Sequence, residues 1–193
     1  MAYTVPIRLV ESSALKQFKP SAWLLIPLCL TLLSACSSKP IKQLTQVTRI
    51  NAGHSLIQTD QSRPHATVYF IRPKTEHPTG YPDNPLEVDV DGEQLMKLGK
   101  AEYTLVYLKP REVSITLRDI TQVRGRWELT EMARTRQFNL QEGETYFILT
   151  DMINGEFRGV IFIPKALSKF EAKNIARHLV PVGEAELHPI TKL

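Results

Sequence analysis

An all-β sandwich of about seven to eight strands, immunoglobulin-like or prealbumin-like and completed by one C-terminal helix, is the fold class that the sequence predicts. Three observations carry that expectation. From Ala66 onward, apolar and polar residues alternate with period two in short runs, the signature of strands wet on one face. Pro, Gly and Asp punctuate the runs at the spacing of an all-β domain. Both cysteines, Cys29 and Cys36, precede Ser37, so the domain holds no disulfide and depends on an apolar core.

The first strand is "ATVYFIR", followed by the loop "PKTEHPTGYPDNP". In "LEVDVDGEQLMKL", Leu86, Val88 and Val90 fall on one face and Glu87 and Asp89 on the other. Asp91-Gly92 then turns the chain into a hairpin, because glycine accepts the positive φ of a primed turn. "EYTLVYL" and "EVSITLRD" come next around Lys109-Pro110-Arg111, the latter with Val113, Ile115 and Leu117 in phase. "TRQFNL", "TYFILTD" and "FRGVIFI" complete the strands, the first two joined through Gln141-Glu142-Gly143-Glu144. Ser168-Lys169-Phe170-Glu171 has the spacing of a capping box, predicting a helix that ends before Pro181. Phe170, Ile175, Leu179 and Val180 are its expected apolar face.

The N-terminal third reads differently. "AWLLIPLCLTLLSA", residues 22–35, is uncharged and follows Lys16 and Lys19, which fits the basic and apolar regions of a secretory leader. As a helix it spans about 21 Å, short of the roughly 30 Å hydrocarbon core, and Pro27 disturbs it further. Leu33-Ser34-Ala35-Cys36 resembles the lipobox of bacterial lipoproteins. That resemblance implies cleavage between Ala35 and Cys36, diacylglycerol on the Cys36 thiol and acylation of the new amino group. A single chain anchors only marginally, whereas two or three hold a protein on the bilayer. Ser37, where enteric lipoproteins retained in the inner membrane carry aspartate, implies the outer membrane, with the domain facing the periplasm. The expected organisation is a signal peptide at 1–35, a lipidated N-terminus and polar tether at 36–64, a sandwich with its helix at 65–182, and a tail at 183–193. A short helix over residues 41–50 is the alternative for the tether.

Charge and motifs narrow the function classes. The formal charge of the 193-residue chain is +4; without Arg8, Lys16, Lys19 and Glu11, all at or before residue 19, 21 basic and 19 acidic residues remain, so no nucleic-acid partner is expected. Glu87, Asp89, Asp91 and Gly92 match the start of an EF-hand loop, but Leu98 stands where its last carboxylate belongs. His54, His65, His77, His178 and His188 are scattered without metal-ligand spacing, and no metal or other cofactor is expected. "GHSLI" lacks the second glycine of a nucleophile elbow, and no phosphate loop is present. The loop around His77, with Glu76 and Asp83, is the alternative: a site for a cell-envelope enzyme. Arg124, Arg126, Arg134 and Arg136, beside Trp127, form a candidate patch for an anionic ligand, diluted by Glu128 and Glu131.

Four segments in order, "VYFIRP" (68–73), "VDVDGEQLMKL" (88–98), "YTLVYLKP" (103–110) and "GETYFI" (143–148), resemble the bacterial family catalogued as domain of unknown function 2846. The resemblance covers residues 66–180. It departs at Arg111, where the family tends to have glycine. It implies a lipoprotein or secreted β-sandwich and no catalytic residues. The functional expectation is therefore a lipid-anchored, non-catalytic binding or structural module, held on the membrane through its N-terminus and facing an envelope protein or polymer.

Overall fold

The computed structural model describes residues 48–74, 84–122, 129–155 and 159–193. Among these residues, ten strands form two sheets of five. The first contains β1 (Arg49–Ile50), β3 (Leu86–Val90), β4 (Glu93–Leu98), β6 (Glu112–Gln122) and β7 (Leu129–Asn139), in the order β1-β4-β3-β6-β7. The second contains β2 (Ala66–Arg72), β5 (Glu102–Leu108), β8 (Thr145–Gly155), β9 (Gly159–Leu167) and β10 (Val180–Val182), in the order β10-β5-β2-β8-β9. The eight longer strands are those of the expected sandwich; the other two are short edge additions.

Between the sheets, Ala66, Val68 and Phe70 of β2, with Val106, Leu108, Ile148 and Phe162, meet Leu86, Val88 and Val90 of β3 and Val113, Ile115 and Leu117 of β6. The alternation of β3 and β6 thus places every second residue in the core and leaves the others on a solvated face. Burying each such aliphatic or aromatic side chain contributes roughly 1.5–3 kcal/mol. β2 is apolar on both faces because its sheet is covered twice. On the side away from the core, Tyr69, Ile71, Tyr103, Leu105, Phe147 and Leu149 lie under Ala172, Ala176, Ala185 and Ile190. The molecule therefore has a third layer.

That layer is α1 (Lys169–Ala176), α2 (Glu184–Leu187) and a 3₁₀ turn at Ile190–Lys192. The capping box is present: the Ser168 hydroxyl accepts from the Glu171 amide, and Glu171 accepts from the Ser168 amide at 2.8 Å. The helix buries Ala172 and Ala176, whose small side chains permit close approach to the sheet, with Ile175 and Leu179 at the margin. The expected apolar face is corrected at its ends. Phe170 is 74% exposed, and Val180 belongs to a strand pairing in parallel with β5, Val180 opposite Glu102. Nor are residues 183–193 a free tail. Ala185 and Ile190 are fully buried, and the Tyr69 hydroxyl donates to the His188 carbonyl at 2.7 Å.

The expected tether is also shorter. β1 pairs with β4, and the segment after it caps the sandwich: Leu56 enters the core, the Gln58 amide donates to the Tyr107 carbonyl at 2.8 Å and the Lys109 amide to the Leu56 carbonyl at 2.9 Å. His54 is buried, its Nδ1 accepting from the Leu56 amide at 3.1 Å and its other ring nitrogen 3.3 Å from the Glu93 carbonyl. A two-residue strand and scattered apolar residues leave no periodic signal for this role.

Asp91 (φ 52°) and Gly92 (φ 82°) make the primed hairpin turn as expected. The Lys109-Pro110-Arg111 turn instead carries the chain from the second sheet to the first, and Gln141–Glu144 carries it back. Among the described residues the only non-glycine positive φ values are at Asp91 and Ala101, so Arg111 occupies its turn without needing glycine. No helix among the described residues is long and apolar enough to cross a membrane.

Because Leu56 is a core residue, Leu56→Ala is expected to lower unfolding stability by about 2–5 kcal/mol in a denaturant titration. A residue in a free tether would show no change.

Candidate functional site

Two charged residues fall in phase with core faces. In β2 the inward series Ala66, Val68, Phe70 ends on Arg72; in β6 the series Val113, Ile115, Leu117 ends on Asp119. Both charges are buried at one end of the sandwich. Antiparallel pairing sets Glu87 opposite Arg118, and Arg72 reaches the Leu98 carbonyl with Nη1 at 2.7 Å, so the end of β2, the start of β3 and the outer half of β6 converge there. Arg72 is wholly buried, and its guanidinium carbon lies 5.4 Å from the centroid of the Phe162 ring. Hydrogen bonding and the π face offset part of its desolvation.

Beside these residues is a cleft of about 230 Å³, lined by Asn84, Pro85, Glu87, Lys97, Arg118, Asp119, Ile120 and Glu131. On the solvated face of the sheet, cross-strand register places Glu87 between Lys97 and Arg118, and Ile120 opposite Glu131. The result is a ladder of alternating charge. Lys97 Nζ is 2.7 Å from Glu87 Oε1, Arg118 Nε donates to Asp89 Oδ2 at 2.5 Å and Arg118 Nη1 to Glu131 Oε1 at 2.8 Å. Hydrogen bonds from the guanidinium to Asp89 and then Glu131 hold the Arg118 pKa above its ordinary value. Asp89 itself is nearly buried, so this contact matters more than an exposed ion pair.

Asp119 differs from the ladder. Its residue is 5% exposed, and among the described residues no donor meets hydrogen-bond geometry at either carboxylate oxygen. Burial pushes its carboxyl up to about 6, against the opposing pull of the Ile120 amide and the Arg72 charge. A buried carboxylate without a donor is costly, and this one, in phase with Val113, Ile115 and Leu117, lies behind the cleft wall with both oxygens closed to solvent.

The residues singled out in the sequence are not gathered into this cleft. Ala35, Cys36, His77, Asp83, Arg124 and Arg126 lie outside the described residues. Arg134 and Arg136 stand on β7 opposite Leu117 and Ile115, at the sheet edge; Arg134 is half-buried and donates to the Ala133 carbonyl at 2.8 Å, while Arg136 is exposed. Charges turned inward on an edge strand hinder the addition of a foreign strand. The EF-hand-like carboxylates are engaged separately, Glu87 with Lys97, Asp89 with Arg118, and Asp91 with the Ser114 amide at 2.8 Å. Among the described residues no group of three His, Cys, Asp or Glu is placed to hold a metal ion. What the sequence reading missed is Arg72, Arg118 and Asp119; the available signal was a charge continuing a core-facing series. No protein-family model and no curated protein matches the chain. The site is a small cleft, lined largely by paired charged side chains, on an all-β sandwich.

The Asp119 environment has a stability consequence. Its folded pKa lies above its unfolded value near 3.8, so the native state holds this proton more tightly. The contribution is fully present below about pH 4, falls away between about pH 4 and 6, and is flat above; the loss is roughly 3 kcal/mol. Asp119→Asn removes that loss. Its stability relative to the wild type is expected to rise by about 2–3 kcal/mol between pH 4 and 7 in parallel denaturant titrations, a difference that cancels the other carboxylates.

Proposed function

We propose that this chain is a bacterial lipoprotein anchored in the outer membrane through acylated Cys36, its β-sandwich serving as a non-catalytic binding module in the periplasm. The observation that carries the reading is Leu33-Ser34-Ala35-Cys36 at the end of an uncharged apolar run. The four-segment resemblance to the domain of unknown function 2846 family supports it. So does a sandwich that folds without thiols, leaving Cys36 free for modification. Residues 37–47 join that cysteine to a body whose described part opens at Thr48, a link of at most about 40 Å when fully extended. The folded body therefore works close to the bilayer. A cleft whose lining cations are paired with carboxylates is built for recognition by shape and residual charge rather than for proton transfer.

In cells labelled with an alkyne analogue of palmitate, the wild-type chain is expected to take up the label and to float with outer-membrane vesicles. Cys36→Ala abolishes both. An intact mass showing an unmodified Cys36 with the leader attached overturns the reading.

A further inference from the structure

We propose that residues 51–58 are a proton-operated latch on the sandwich, shut while the His54 ring is neutral and released at Leu56 when the ring takes up a proton. The segment crosses from one sheet to the other. On the first sheet the Asn51 amide donates to the Leu95 carbonyl at 2.8 Å, and the Ser55 hydroxyl to Glu93 Oε2 at 2.8 Å. On the second the Gln58 amide donates to the Tyr107 carbonyl, and the Leu56 carbonyl accepts from the Lys109 amide. His54 stands between these two sets of bonds, its side chain closed to solvent.

The bonds of the ring define its proton count and its tautomer. Nδ1 accepts from the Leu56 amide at 3.1 Å and so carries no hydrogen. Nε2 is 3.3 Å from the Glu93 carbonyl and carries the hydrogen, because a carbonyl oxygen only accepts. A neutral ring with its hydrogen on Nε2 satisfies both contacts, and no other form does. A proton added at Nδ1 points at the Leu56 N–H, so that bond is lost and donor faces donor. A buried imidazolium also needs a partner. Of the charged groups on the elements around the ring, Glu93 on β4 has Oε2 3.8 Å from Nε2, and Lys109 after β5 donates from Nζ to the Ser55 carbonyl at 2.7 Å. Asp91 and Arg111, on the adjoining turns, pair with each other at 3.4 Å. The hydrogen bond from the Ser55 hydroxyl holds the Glu93 carboxyl below the usual carboxylate range, so it stays ionised in mild acid. The protonated ring is therefore drawn to Glu93 on the first sheet and gives up Leu56. Leu56 is a core residue, and the bonds at Gln58 and Lys109 flank it, so a shift of its backbone loosens both. Opening there uncovers the side of the sandwich at β4 and β5, within the interval of about pH 5 to 8 in which histidine side chains change charge.

The latch is independent of the anchor at Cys36. The test uses the full-length ¹⁵N-labelled protein in a non-ionic detergent, with NMR reading the His54 ring nitrogens and amide hydrogen exchange reading the backbone, corrected for the intrinsic pH dependence of exchange. At about pH 7.5 the ring is expected to be neutral with its hydrogen on Nε2. At about pH 5 both nitrogens are expected to be protonated, and protection of the Leu56, Gln58 and Lys109 amides to fall about tenfold or more while Phe70 and Ile148 in the core strands keep theirs. His54→Gln, whose side-chain oxygen can still accept from the Leu56 amide but does not titrate, is expected to show the same protection at both pH values. A hydrogen on Nδ1 at pH 7.5, a ring still neutral at pH 5, unchanged protection once the ring is charged, or a fall shared by Phe70 and Ile148 each overturns the proposal. So does an equal fall in His54→Gln. If that variant does not fold, the wild type decides alone: ring titration and loss of Leu56 protection must share one midpoint, and separate midpoints overturn the latch.

Discussion

The central strands of the second sheet must be dry on both faces, and most of the architecture follows from that constraint. β2 is its central strand, antiparallel to β5 and parallel to β8. Parallel pairing puts strands where both faces are covered, which is why "ATVYFIR" reads as a nearly continuous apolar run rather than an alternation. One face is covered by the first sheet. The other requires the C-terminal segment, and the segment meets the requirement with small residues: Ala172, Ala176 and Ala185 let helices lie close to Tyr69, Tyr103 and Phe147. The Tyr69 and Phe147 rings stack at 5.4 Å beneath that cover. A polar bond then locks the layer, the Tyr69 hydroxyl on the His188 carbonyl.

The same constraint creates the charged end of the molecule. A strand buried along its whole length buries its last residue as well, and in β2 that residue is Arg72. β6 repeats the arrangement across the core with Asp119. Two charges facing the interior near one end are expensive relative to apolar residues. The solvated ladder of Lys97, Glu87, Arg118 and Glu131 next to them fixes side chains by mutual hydrogen bonds.

The other end of the described chain is fixed on the second sheet as well. The segment that opens the folded body is tied down: the Thr48 amide and hydroxyl both donate to the buried Glu102, which also lies opposite Val180 of β10. Chain entry and C-terminal cover therefore share one edge of the second sheet.

The sequence by itself determined the fold class, the positions of the longer strands, the Asp91-Gly92 turn and the capped start of α1, because each depends on local periodicity or on a backbone preference that acts over a few residues. The proposal of Cys36 as an anchor rests on the same kind of local pattern. Only the tertiary structure decided that residues 48–58 close the sandwich, that residues 183–193 cover a sheet, and that Phe170 faces solvent while Ala172 and Ala176 face inward. It also decided the cleft. Lys97, Glu87 and Arg118 come from three stretches of chain, and their relation depends on strand order and register across β4, β3 and β6. Register is a property of paired strands, so no single stretch of residues carries it.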